Sequence, residues 1–167
     1  MQPIAHTYVL SQALVSLGGD LWIEDEAGNR VFEVDGRALA IRRTLELRDP
    51  AGSVLYTISQ SLAHLRRTFE VKQNDAVVAT IEQALVSLFG DHFTIRLASG
   101  EELAVQGDWI GREFHVALGG ADVIVASRSL LSLHGSYGVQ VADGFDLPLA
   151  LAIVVALEQM ELEERRR

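Results

Sequence analysis

A chain of 167 residues that is 49% hydrophobic and 22% charged can bury a sizeable core and lacks the polar composition that keeps chains disordered. Its formal net charge of −9, with Lys72 as its single lysine, repels phosphate backbones and argues against nucleic acid and against diffuse electrostatic docking on anionic membranes. The absence of cysteine excludes disulfides, thiolate metal sites, cysteine nucleophiles and S-acylation, and it fits a reducing compartment, so a cytoplasmic location is expected.

Residues 1–8 have neither the basic start nor the unbroken apolar stretch of a secretory signal, so the mature protein is expected to be the chain as written, one domain over residues 1–167. Strands are predicted from about His6 onward. The stretch Gln-Ala-Leu-Val-Ser-Leu-Gly-Gly-Asp at 12–20 recurs as Gln-Ala-Leu-Val-Ser-Leu-Phe-Gly-Asp at 83–91. Looser copies stand at 128–136 and 60–66. An alternating segment follows each copy, at Trp22–Asp25, Phe69–Val71, Phe93–Leu97 and Tyr137–Val141, and alternation with period two marks half-buried strands.

Between the copies lies a second recurring unit, a turn followed by a strand. Asp25-Glu-Ala-Gly28 precedes Val31–Val34, and Asp49-Pro-Ala-Gly52 precedes Val54–Ile58; Asp or Pro early with Gly at the end suits a type I turn closing a hairpin. Ala98-Ser-Gly100 and Gly119-Gly120 read the same way ahead of Leu103–Val105 and Val123–Val125. These units predict an antiparallel meander of about twelve strands between His6 and Ala142. The irregular spacing of the copies points to pseudo-repetition within one sheet, not a solenoid.

The rhythm breaks at 146–164, which predicts a helix with Asp146 as N-cap and Pro148 in its first turn. Its first half, Leu147–Leu157, is apolar on every face, and the stretch from Glu158 to Arg167 is highly charged. A helix apolar all round is buried all round or lies in a membrane, and the apolar stretch falls well short of the roughly 20 residues a bilayer requires. A core strand over Ile153–Val155 is the alternative reading, opposed by the segment's length and its run into strong helix formers. In a chain of strands, such a helix is surrounded by sheet. A barrel of about eleven or twelve strands has room for one along its axis, and burying its large aliphatic side chains contributes on the order of 10 to 20 kcal/mol before entropy. The expected fold is therefore mostly β: a closed antiparallel barrel of about twelve strands enclosing a hydrophobic C-terminal helix.

The motifs Trp22-Ile-Glu-Asp-Glu-Ala-Gly28, Val31-Phe-Glu-Val-Asp-Gly36, Leu47-Arg-Asp-Pro-Ala-Gly52 and Gly107-Asp-Trp109, followed by the apolar segment 146–157, resemble the LURP-one-related family. That family belongs with the tubby C-terminal domain and the phospholipid scramblases. The resemblance covers about Tyr8 to Met160 and implies a twelve-stranded barrel around a C-terminal helix. It implies little about activity. Tubby domains bind phosphoinositides through lysine and arginine on the barrel surface, and this acidic chain with one lysine departs from that pattern. Scramblases rely on an acylated cysteine cluster, which is absent here.

The internal basic pairs Arg42-Arg43 and Arg66-Arg67 are the candidate binding residues for an anionic ligand, with surface ion pairing to the abundant carboxylates as the competing reading. Arg165–Arg167 read as a solvated helix end. His6, His64, His92, His115 and His134 show no metal-ligand spacing, so no metal or cofactor is expected. Glu24, Asp25 and Glu26 fall at a turn, and Glu161, Glu163 and Glu164 on the charged helix end. General acid chemistry needs a desolvated cleft, and solvated surface charge is the expectation for both groups. Trp22, Trp109 and Phe114 read as wall or core aromatics. No nucleophile elbow, P-loop or dinucleotide motif is present. The expected function is a non-catalytic binding or scaffold module with a peripheral lipid, small-molecule or protein partner. Anionic phospholipid binding and an enzyme with a site in a rim cleft are the alternatives.

Overall fold

The computed structural model describes residues 6–11, 21–35, 44–61, 67–83, 93–108, 113–127 and 136–165. Period-two alternation becomes twelve strands: β1 His6–Ser11, β2 Leu21–Glu24, β3 Arg30–Asp35, β4 Thr44–Arg48, β5 Val54–Ser61, β6 Thr68–Gln73, β7 Ala76–Gln83, β8 Phe93–Leu97, β9 Glu102–Asp108, β10 Glu113–Leu118, β11 Ala121–Ser127 and β12 Ser136–Val141. One helix, α1, spans Leu147–Arg165. Each strand pairs antiparallel with the next, and β12 closes on β1, with His6 opposite Val141 and Ser11 opposite Ser136. Closure leaves no strand edge to template another chain.

Inward positions alternate as the pattern requires. Leu21 and Ile23, Leu45 and Leu47, Tyr56 and Ile58, Ile81 and Ala79, and Phe114 and Val116 are all buried, and they form one core with the helix. The helix is inaccessible on every side from Ala150 through Met160 and packs most heavily on β5, β6 and β7. The strand alternative for Ile153–Val155 is thereby excluded.

The charged stretch of the helix begins inside the barrel: Glu158 and Gln159 are only 5% and 4% exposed and Met160 is fully enclosed. Barrel height decides this. A six-residue strand rises ~20 Å and, tilted by the roughly 40° of a closed barrel, spans about 15 Å along the axis. The helix from Ala150 to Met160 rises by a similar ~15 Å. The side chains of Glu161, Glu163 and Glu164, and residues Arg166 and Arg167, lie outside the described residues.

Because the chain is a meander, its described connections all gather at one mouth of the barrel, which we term the turn mouth. At the first, Asp25 Oδ1 accepts from the amides of Ala27 and Asn29, both at 2.9 Å, and the Gly28 amide donates to the Asp25 carbonyl at 3.0 Å. Gly28 has φ +84°, a conformation glycine adopts without cost. Asp49 repeats the arrangement, accepting from Ser53 N at 2.9 Å and Gly52 N at 3.0 Å. The sequence reading passed over a tighter hairpin. Asn74 (φ +49°) and Asp75 (φ +66°) join β6 to β7 as the two-residue turn that suits the twist of paired strands. Most of the recurring Leu-Val-Ser-Leu segments fall outside the described residues, as do His64, His92, Trp109 and His134.

Candidate functional site

The two mouths are chemically unlike. All but one of the described connections at the turn mouth carry a carboxylate, among them Asp25, Glu26, Asp49, Asp75, Glu101 and Asp143; the exception is Gly119-Gly120 between β10 and β11. The opposite mouth, toward which the helix C-terminus points, holds all the buried polar residues among those described: Thr68 at the start of β6, Ser127 at the end of β11, and Glu158 and Gln159 on α1. Ser127 Oγ donates to Glu113 Oε2 at 2.7 Å.

The helix enters through the turn mouth and is fixed there by Asp146. Its Oδ1 accepts from the amide of Leu149 at 3.0 Å, which is the predicted N-cap, and its carbonyl accepts from Ala150 N at 2.9 Å. The second carboxylate oxygen does work that sequence spacing does not show: Tyr56 on β5 donates its hydroxyl to Asp146 Oδ2 at 2.9 Å across 90 positions of chain. Burial of Tyr56, followed by that hydrogen bond and the Asp146 charge, raises its phenol well above the ordinary tyrosine value.

Beside this entry point lies a cavity of about 100 Å³, formed where β1, β12 and the β12–α1 connection meet. His6, Tyr8, Asp143, Phe145 and Leu147 line it, together with Val141, Ala142 and Gly144. Phe145 N donates to the Ala142 carbonyl at 3.2 Å and Ala142 N to that of Val123 at 2.9 Å, which ties the β12–α1 connection in place. Glu26 is held alongside by the Thr7 amide, 2.7 Å from its Oε1. Burial, then the charges of Asp25 and Glu26, push the Tyr8 phenol above its ordinary value. The volume is far below the ~300 to 1,000 Å³ of a site that encloses a drug-sized ligand. It admits a few waters or one small organic group.

The outer wall bears charge in pairs. Arg48 bridges Glu46 and Asp35, the latter at 3.2 Å; Arg96 meets Glu102 at 3.0 Å, and Lys72 meets Glu70 at 3.4 Å. His115 Nδ1 lies 2.7 Å from Asp122 Oδ1, and the Arg30 guanidinium sits 5.1 Å over the Trp22 ring. Of the candidate arginines, Arg67 is described: it is half-buried immediately before β6, and its carbonyl accepts from Gln83 N at 3.1 Å. Arg42, Arg43 and Arg66 lie outside the described residues. Phe114 is a core residue and Trp22 a half-buried wall residue. Among the described residues, no group of three or more His, Asp or Glu is placed to hold a metal ion, and no helix is long and apolar enough to cross a membrane.

The chain is similar to the uncharacterized protein YxjI of Bacillus subtilis (strain 168), at 26% identity over 151 residues that cover 90% of this chain and 91% of the relative. An X-ray structure of a protein from Arabidopsis thaliana superposes with a TM-score of 0.71 at 18% identity, covering 95% of this chain and 93% of that one, a likeness of fold. The family model described as LURP-one-related matches residues 6–158, all twelve strands and the helix as far as Glu158. The chain therefore belongs to the LURP-one-related family.

Proposed function

We propose that this chain is a non-catalytic binding module, one domain over its length, that works in the cytoplasm and contacts its partner on its wall or at its mouths. The observation that carries this reading is the filled interior. With the helix enclosed from Ala150 through Met160, the barrel axis is occupied by the protein itself. A catalytic reading asks for a cleft where acid-base groups converge with shifted proton affinities. The shifted groups among those described each have a structural account. Tyr56 anchors the helix cap, Asp25 is held low by Asn29 at a turn, Arg48 is raised by its hydrogen bond to Glu46, and Tyr8 is part-buried beside Asp25 and Glu26.

Native mass spectrometry of protein purified from its own host tests the reading. A molecule or partner retained at a fixed stoichiometry is expected, and conversion of that molecule by the purified protein would overturn the non-catalytic assignment. A second reading, anionic phospholipid binding through Arg42, Arg43, Arg66 and Arg67, is favoured for the mouth away from the turns. Arg67, the described member of the four, stands immediately before β6 at that mouth, and the carboxylates of the turn mouth repel anions. Salt-sensitive pelleting with anionic liposomes is its expected result, and no pelleting at low salt removes it.

A further inference from the structure

Resting on the binding-module reading, we infer that the cavity at the turn mouth is a site for a primary ammonium group on a short aliphatic stem. Size comes first: about 100 Å³ excludes nucleotides, sugars and lipid head groups as enclosed ligands and leaves room for a single group of a few heavy atoms. The lining is divided in the way such a group is divided. Phe145 and Leu147 give an apolar wall for a stem, while His6, Tyr8 and Asp143 present an imidazole, a phenol and a carboxylate to a head that carries three donors.

Charge selects the sign. Asp143 lines the cavity, Glu26 is tied to its β1 wall through Thr7 N at 2.7 Å, and Asp25 lies close enough for its field, with that of Glu26, to raise the Tyr8 phenol. Among the described residues, no lysine or arginine lines the cavity. Arg30, across the neighbouring strand pair, sits over Trp22. Tyr8 and Phe145 add aromatic rings, which suit a cation and do not suit an anion. A carboxylate or phosphate in the same place would meet the same carboxylates unpaired.

The test is a ¹H–¹⁵N titration of the full chain with n-butylammonium, n-butanol and butyrate, which share a stem and differ in head charge. Butylammonium is expected to shift the amides of Tyr8, Ala142, Gly144 and Phe145 saturably in the millimolar range. Butanol and butyrate are expected to leave them in place. Asp143→Asn is expected to weaken the apparent affinity about two- to five-fold. Glu101→Gln, which removes one carboxylate from a different turn, is expected to leave it unchanged. Equal effects of the two variants, shifts spread over all the acidic turns, or an equal response to butanol would overturn the assignment.

An acetylated, amidated lysine peptide run in parallel identifies the source. Tighter binding than butylammonium at the same amides assigns the group to a partner's lysine, and weaker binding assigns it to a free amine. Failure of every ammonium probe, alongside a molecule retained in native mass spectrometry, refutes this site and leaves the module reading standing. Failure of both removes both.

Discussion

Asp146 serves the helix and the barrel at once, which makes its removal more costly than loss of a cap alone. As N-cap it satisfies Leu149 N at 3.0 Å, an interaction worth about 1 kcal/mol. As acceptor for Tyr56 it adds a hydrogen bond of 2.9 Å to a charged oxygen, worth about 1.5 kcal/mol after allowance for its half-exposed carboxylate end. Tyr56→Phe removes only the second, so a loss of about 1.5 kcal/mol is expected, and Asp146→Ala removes both, for about 2.5 kcal/mol. The double variant has no further hydrogen bond to lose. It is expected to match Asp146→Ala closely, giving a coupling of about 1.5 kcal/mol. Urea denaturation followed by tryptophan fluorescence measures all four proteins. Additive losses would mean that the hydroxyl and the carboxylate act independently, and the latch would be refuted. Asp146→Asn, which keeps a capping oxygen, separates the two roles: it should retain most of the cap and lose the charge-assisted part.

The remaining predictions probe the core, one close approach and pH. Leu151→Ala, at a fully enclosed helix position, is expected to cost about 3 to 5 kcal/mol in urea denaturation, a large share of a typical domain's stability. Gly107 has φ +103°, and a Cβ there would sit 2.6 Å from the Glu113 carbonyl oxygen. Gly107→Ala is therefore expected to cost about 2 kcal/mol or more, and Gly28→Ala, where a Cβ meets open space, about 1 kcal/mol. Tyr56 and Tyr8 have folded proton affinities raised above the unfolded tyrosine value, so their contribution is intact below about pH 10 and is lost as pH rises further. Tyr56→Phe should flatten that alkaline loss in a pH series of denaturation midpoints. Asp25 is held low, first by its side-chain hydrogen bond to Asn29, so its contribution is present above about pH 4 and disappears as pH falls further. Asp25→Asn should remove that acid-side slope.

What a chain writes locally is legible, and what closure writes is not. The run Leu147–Leu157 is apolar on all faces, and that property alone demands sheet on every side, which is why the barrel can be argued before any coordinates. The turns at Asp25 and Asp49 are equally local, since each is built by a side chain bonding its own next few amides. The Asn74-Asp75 hairpin carried its signal too, two residues tolerant of positive φ between alternating stretches, and was simply outweighed by the more conspicuous glycine turns. The burial of Glu158 and Gln159 is not announced by their polarity, because barrel height decides where the helix emerges. The contact between Tyr56 and Asp146 and the cavity between Tyr8 and Phe145 depend on which strands become neighbours on closure, and no spacing in the chain announces either.

Closure also explains why the two mouths differ. An antiparallel meander puts alternate connections at opposite ends, and most of the described connections at one end are short turns that carry Asp or Glu. Short turns of this kind build themselves from Asp and Gly, so carboxylates accumulate there for reasons of backbone geometry first. Their summed field then has a functional consequence that no single turn was built for: a shallow cavity opening among them discriminates by charge. At the other mouth, interior polarity replaces surface charge, with Thr68 and Ser127 on the wall and Glu158 and Gln159 on the helix all buried. The barrel thus has one face that selects cations by field and one lined with hydrogen-bonding groups. On the binding-module reading we propose, a partner that distinguishes the two mouths binds in one orientation although the interior is already occupied.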